Sequence, residues 1–199
     1  MGYFLCALTA IIQNDLNSLI IKHIAHYKGF LVSTTTPTLI TNYCYEDITL
    51  DQTVSVSRVI TEDDITLFAA LSGDLNPVHL DADYAATTAF GKPIAHGMLC
   101  GALISATVAM NFPGPGSIYR SQTIKFSKPV FINDELTIHI SVKEKQDRLK
   151  LVTLSCVIKN QHGKTVATGE SGVIAPSQKV SIEAATLPEI SLGNQPYKI

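Results

Sequence analysis

Hydrophobic positions in the second half of the chain come in long runs rich in β-branched residues, each bounded by turn formers. Ser117 to Val130, Glu135 to Glu144, Leu149 to Lys159 and Thr165 to Ala175 are separated by Asn133-Asp134, Gln146-Asp147 and His162-Gly163. This punctuation predicts a meander of long antiparallel strands, with one more strand ahead of it at Gln52 to Ile60. Between them, Gly97 to Met110 reads GMLCGALISATVAM, apolar on every side and dotted with the small residues Gly101, Ala102, Ala106 and Ala109. A helix of that kind has to be buried. One buried helix and five strands make an α+β fold in which a curled antiparallel sheet wraps a central helix. The open edges of such a sheet favour pairing with a second copy, so a homodimer is expected.

Upstream of the central helix, Thr61-Glu62-Asp63-Asp64 precedes Ile65, Leu67, Phe68 and Leu71. This is a capping box opening an amphipathic helix, which Gly73 is placed to end. Asp74-Leu75-Asn76-Pro77-Val78-His79 then reads as a turn, Asp81 to Thr88 as a short helix, and Phe90 to His96 as a loop. Residues 1–45 combine an apolar start, MGYFLCALTAII, an amphipathic pattern from Leu16 to Ile24 and a Ser/Thr/Pro linker from Ser33 to Thr38. They read as an extension, residues 46–176 as the domain, and residues 177–199 as a polar, loosely packed tail.

Composition narrows the picture further. With 199 residues, 46% hydrophobic and 16% charged, the chain is sized for one globular domain with extensions. Its formal net charge of -2 supplies no general basic field, which argues against nucleic acid and anionic membranes as partners. Cys6, Cys44, Cys100 and Cys156 are too scattered for a zinc ribbon or a dithiol redox site, and a reducing, cytoplasmic compartment is the simplest reading. The apolar start is not preceded by a basic residue and is stopped by Gln13, Asn14 and Asp15, so neither a signal peptide nor a membrane span is expected. His23, His26, His139 and His162 have no companion at ligand spacing, and no metal is expected.

Chemistry concentrates between residues 69 and 99. Asp74 alone reads as an ordinary turn residue and His79 alone as a buried or capping histidine; together, around Asn76-Pro77 and followed by His96-Gly97, they read as a site. The stretch Ala69-Ala70-Leu71-Ser72-Gly73-Asp74-Leu75-Asn76-Pro77-Val78-His79-Leu80-Asp81, with Pro93-Ile94-Ala95-His96-Gly97-Met98-Leu99, Gly116-Ser117-Ile118-Tyr119 and Phe126-Ser127-Lys128-Pro129-Val130, resembles the MaoC-like (R)-specific enoyl-CoA hydratases. The resemblance spans roughly residues 50–176.

It implies a hot-dog fold and a hydro-lyase that converts trans-2-enoyl-CoA to (R)-3-hydroxyacyl-CoA, with no cofactor beyond the coenzyme A of its acyl-CoA substrate. It also implies that Asp74 and His79 jointly activate water and return a proton, that the Gly97 N–H stabilises the enolate oxygen, and that Ser105 and Val108 line the acyl pocket. The residue types suit those tasks: an imidazole titrates near neutral pH, and a glycine opening a helix offers an uncrowded N–H without an internal acceptor. Which of Asp74 and His79 is the base stays open. His96 reads as a loop or cap residue. Arg120, Lys125 and Lys128, the basic groups nearest the motif, read as solubilising strand residues before they read as phosphate ligands.

Three other functions compete. A dehydratase acting on acyl carrier protein thioesters would run the same reaction backwards. A hot-dog thioesterase would need a carboxylate on the central helix, yet Asp and Glu are absent from Gly91 through Asn133. A non-catalytic acyl-CoA-binding or dimerisation module would leave the Asp74/His79 pair without a purpose.

Overall fold

The meander forms as expected, because alternate residues of its strands are apolar and share one face. In the computed structural model, which describes residues 38–188, 190–192 and 195–196, the strands are β1 (Leu39–Thr41), β2 (Thr53–Val59), β3 (Ile118–Phe126), β4 (Glu135–Gln146), β5 (Leu151–Asn160), β6 (Thr165–Ile174), β7 (Ser181–Glu183), β8 (Ser191–Leu192) and β9 (Gln195–Pro196). Five of them pair antiparallel in the order β2-β4-β5-β6-β3. Leu136, Ile138, Ile140 and Val142 of β4 and Val152, Leu154, Cys156 and Ile158 of β5 are all buried, while the residues between them are more exposed. That period of two puts one face of the sheet against the core. The run from Ser117 to Val130 stops as a strand at Phe126, before Lys128-Pro129, since Pro129 has no N–H to donate to a ladder.

The helices are α1 (Glu62–Ser72), α2 (Pro77–Leu80), α3 (Ala82–Ala86) and α4 (Gly97–Met110). The capping box of α1 is complete: the Asp64 N–H donates to Thr61 Oγ1 at 3.1 Å and the Thr61 N–H to Asp64 Oδ2 at 2.9 Å. Arg58 reaches the same carboxylate from β2 and ties the helix start to the sheet. Helix α4 packs Cys100, Leu103, Ile104, Thr107 and Val108 into the core. It is not enclosed, however. Met98, Ala102, Ser105, Ala106, Ala109 and Met110 form an exposed stripe, because five strands curl around one side of a helix and leave the other open.

Two further expectations change. The turn after Asp74 contains a helical turn, α2, because the Asn76 side chain accepts from the Val78 N–H and Pro77 presets the backbone at the first helical position. Packing also reaches ahead of residue 46, since the compact unit runs from Thr38. Leu39–Thr41 pairs with Ser181–Glu183, Asn42 Nδ2 donates to the Pro115 and Gln178 carbonyls at 3.0 and 2.9 Å, and Tyr45 sits in the core. Part of the expected tail is therefore a strand that closes on part of the expected extension. The expected helix at Leu16–Ile24, the apolar start and most of the Ser33–Thr38 linker lie outside the described residues. Among the described residues, no helix is long and apolar enough to cross a membrane.

Strand β6 carries a glycine that the sheet cannot exchange. A Cβ on Gly169 would lie 1.9 Å from the Thr123 carbonyl oxygen of β3, whereas one on Gly163, in the β5–β6 turn at φ 69°, would meet nothing within 4 Å. Gly169→Ala is expected to destabilise the fold by about 3 kcal/mol and Gly163→Ala by only about 1 kcal/mol. Urea unfolding of the two variants checks that order.

Candidate active site

Gly73 ends α1 in the left-handed conformation, at φ 75°, and turns the chain so that Asp74 begins a short stretch held by its own polar groups. The Asp74 N–H donates to Ser72 Oγ at 3.2 Å, and Asp74 Oδ1 accepts from the Asn76 N–H at 3.2 Å. Asn76 caps α2, and α2 carries His79. These local bonds bring His79 Nε2 to 3.9 Å from Asp74 Oδ2, with the imidazole 10% exposed and the carboxylate 52%.

The other nitrogen of His79 decides which atom faces the carboxylate. Nδ1 lies 2.8 Å from the Ile94 carbonyl oxygen. A carbonyl can only accept, so Nδ1 carries the proton and the neutral ring presents a bare Nε2 lone pair. His96 is set by the same logic. Its Nε2–H donates to the Asp74 carbonyl at 3.0 Å, its Nδ1 is buried without a hydrogen-bond partner, and its ring stacks on His79 with centroids 3.8 Å apart at 27°. Phe68 of α1 packs against the His96 ring at 5.1 Å. Although His96 stands at the cap position of α4, its side chain makes no cap bond. It holds Asp74 through the backbone and His79 through the ring, a role that only the fold reveals.

A cleft of about 350 Å³ opens beside His79, lined by His79, Phe90, Ile94, His96, Gly97, Cys100, Phe126 and their neighbours. Gly97 is the first residue of α4, where backbone N–H groups lack intrahelical acceptors and the helix dipole is positive. A Cβ at this position would sit 3.3 Å from the Phe126 ring. Glycine therefore keeps the cleft floor open next to an N–H that can meet a developing oxyanion. Cys100 lies one turn along the same helix; burial pushes its thiol up to about 11, so it stays protonated at neutral pH and behaves as an apolar lining group.

Ser105 and Val108, expected to line the acyl pocket, lie outside the lining of this cleft. Val108 is 1% exposed and belongs to the core, Ser105 lies on the exposed stripe of α4, and neither lines the cleft. Their register points one into the sheet and the other away from it. The α4 residues lining the cleft are Gly97 and Cys100, in the first turn, together with Phe126 from the end of β3. Ligand atoms of Asp74, His79 and His96 fall within 4.8 Å of one another. One nitrogen of each ring is already bonded to a carbonyl and the other nitrogen of His96 is buried, which leaves the Asp74 carboxylate and the His79 Nε2 lone pair facing each other across a gap that suits a water molecule.

Residues 47–162 match the family model described as MaoC like domain. The chain is 44% identical over 142 residues to the (R)-specific enoyl-CoA hydratase of Rhodospirillum rubrum, covering 70% of this chain and 96% of that protein. It is 40% identical over 131 residues to the (R)-specific enoyl-CoA hydratase of Aeromonas caviae, covering 66% and 98%. Among solved structures, the unliganded R-hydratase PhaJ1 from Pseudomonas aeruginosa superposes with a TM-score of 0.76 at 47% identity, over 78% of this chain and all (100%) of that one.

The two carbonyl bonds set the histidine tautomers, and nitrogen NMR at a pH where both rings are neutral reads them directly. His79 is expected as the Nδ1–H tautomer and His96 as the Nε2–H tautomer; the opposite assignment for either would mean that its carbonyl bond is not made.

Proposed function

Because the chain belongs to the MaoC-like domain family, we propose that it is a hydro-lyase adding water reversibly across the double bond of trans-2-enoyl-CoA to form (R)-3-hydroxyacyl-CoA. The observation that carries this reading is the facing of Asp74 Oδ2 and His79 Nε2 at 3.9 Å, with His79 and Gly97 lining one cleft. A water between the two acceptors donates a hydrogen bond to each. As its oxygen bonds to C3, one O–H bond breaks and the proton passes to the pair. C2 of the enolate then takes a proton back, so none is gained or lost overall. Negative charge gathering on the thioester oxygen is met by the Gly97 N–H at the positive end of α4. The reaction needs no cofactor beyond the coenzyme A of the substrate itself, and the (R) outcome is carried over from the two hydratase relatives.

A second copy of the chain fits the exposed stripe of α4. Met98 and Met110 are 55% and 41% exposed, with Ala102, Ala106 and Ala109 between them, and small residues let another surface approach closely. The described cysteines, Cys44, Cys100 and Cys156, are all free, which suits action in the cytoplasm.

Crotonyl-CoA incubated with the protein is expected to lose its enoyl absorbance without releasing thiol. Asp74→Asn and His79→Gln should each lower kcat by about a hundredfold or more, as expected when a positioned proton-transfer group is removed. Thiol release would mean thioester hydrolysis, and silence on both counts would mean a binding module. Sedimentation equilibrium should give twice the chain mass, and Ala106→Glu, which puts a charge in the exposed stripe, should shift it toward the single chain.

A further inference from the structure

The wall that carries His96 and Gly97 also borders a second cleft. Residues 94 and 95 run antiparallel to residues 130 and 131: Ile94 bridges Phe131, and the Ala95 N–H donates to the Val130 carbonyl at 2.8 Å. The second cleft, of about 490 Å³, adjoins the first, since Lys128 and Pro129 line both. Lys92, from the same loop as Ile94, lines it too, together with Lys164 and His162 from the β5–β6 turn.

The electrostatics of this cleft are one-sided. Lys92, Lys128 and Lys164 are exposed, and among the described residues none of them is in an ion pair, whereas Lys143, Lys150 and Lys179 each have a carboxylate partner. The lining includes one carboxylate, Asp134, which is 8% exposed. Both of its oxygens are taken: Oδ2 accepts from the Phe131 N–H and Oδ1 from Gln161 Nε2, each at 2.9 Å. Three cationic side chains, none of them in an ion pair among the described residues, therefore line a cleft with a single carboxylate, on a chain whose net charge is -2. Asn133, Asn160 and Gln161 add amide groups to the same lining. This is the chemistry of a multiply charged phosphate ligand that also carries polar ring edges.

We infer that this cleft receives the phosphorylated nucleotide end of the coenzyme A thioester. Its phosphates lie among Lys92, Lys128 and Lys164, and the uncharged pantetheine arm passes Lys128 and Pro129 into the cleft of His79 and Gly97. The inference rests on the hydratase reading and adds to it the residues that meet the nucleotide end of the carrier. A thioester held on an acyl carrier protein presents the same arm but no nucleotide, so the three lysines distinguish the two. It also reverses the reading of Lys128 as a merely solubilising residue.

The test titrates 3′-phosphoadenosine 5′-diphosphate, the nucleotide end alone, into the full chain and into the double variant Lys92→Ala/Lys164→Ala. Neither lysine lines the cleft of the Asp74/His79 pair. Removing two phosphate contacts is expected to weaken binding about tenfold or more, and added salt should weaken the wild type in the same direction. In kinetics, the variant should raise KM for crotonyl-CoA about tenfold and so lose the advantage of that substrate over the crotonyl thioester of N-acetylcysteamine. Equal nucleotide affinity in the two proteins, a KM rise shared by both thioesters, or a rise confined to a crotonyl acyl carrier protein would each overturn the site. If the nucleotide binds as expected but no enoyl thioester is hydrated, the site stands and the hydratase reading falls. If hydration proceeds and the variant binds nucleotide like the wild type, the reverse holds.

Discussion

Three hydrogen bonds converge on residues 94 and 95, and the geometry of the site depends on them. The Ala95 N–H donates to Val130 at 2.8 Å, the Ile94 N–H donates to Val78 at 3.3 Å, and the Ile94 carbonyl accepts from His79 Nδ1 at 2.8 Å. The first ties the loop to the segment leaving the sheet. The second ties it to α2, and the third orients the imidazole. Because His96 and Gly97 follow directly, the same anchor sets where α4 starts and where its free N–H groups point. A shift of this loop would move the imidazole and the helix start together, which is how one backbone segment can keep two halves of a reaction centre in register.

Around that anchor the site is supported asymmetrically. His79 is nearly buried between the His96 ring and the loop, while Asp74 is half exposed and held mainly through its neighbours' backbone. His96 bridges the two, with one nitrogen on the Asp74 carbonyl and its ring face on His79. Such support spends buried polar groups on position and not on stability, and the unpartnered Nδ1 of His96 is the visible cost. The core beneath is conventional by comparison. Alternating aliphatic residues of β4 and β5 meet the buried face of α4, and burial of this kind is what holds the sheet curled.

The stripe of α4 left uncovered and the second, basic cleft share one physical origin. A five-stranded sheet encloses only part of a helix, so the start of α4 and its outer face remain accessible from outside the core. The accessible helix start lines the first cleft, and the loops beside it, from the end of β3 and between β5 and β6, are free to carry charge without disturbing the packing.

The periodicity of the chain by itself determined the five strands of the main sheet, the capped helix α1, the apolar helix α4 and their α+β arrangement. Each of these follows from local rules: alternation, a Thr-to-Asp capping box and a run of small apolar residues. The pairing of Asp74 with His79 was legible for a similar reason, since the turn residues Gly73, Asn76 and Pro77 confine both to one short stretch whose shape is set by its own hydrogen bonds. Tertiary structure alone decided what depends on residues distant in the chain. The role of His96, the identity of the cleft-lining Cys100 and Phe126, the exclusion of Ser105 and Val108 from that lining, the joining of Leu39–Thr41 to Ser181–Glu183, and the convergence of Lys92, Lys128 and Lys164 all require contacts across many residues. Helical register fixes only relative angles about an axis; which of those angles faces sheet, cleft or solvent is set by how the sheet curls.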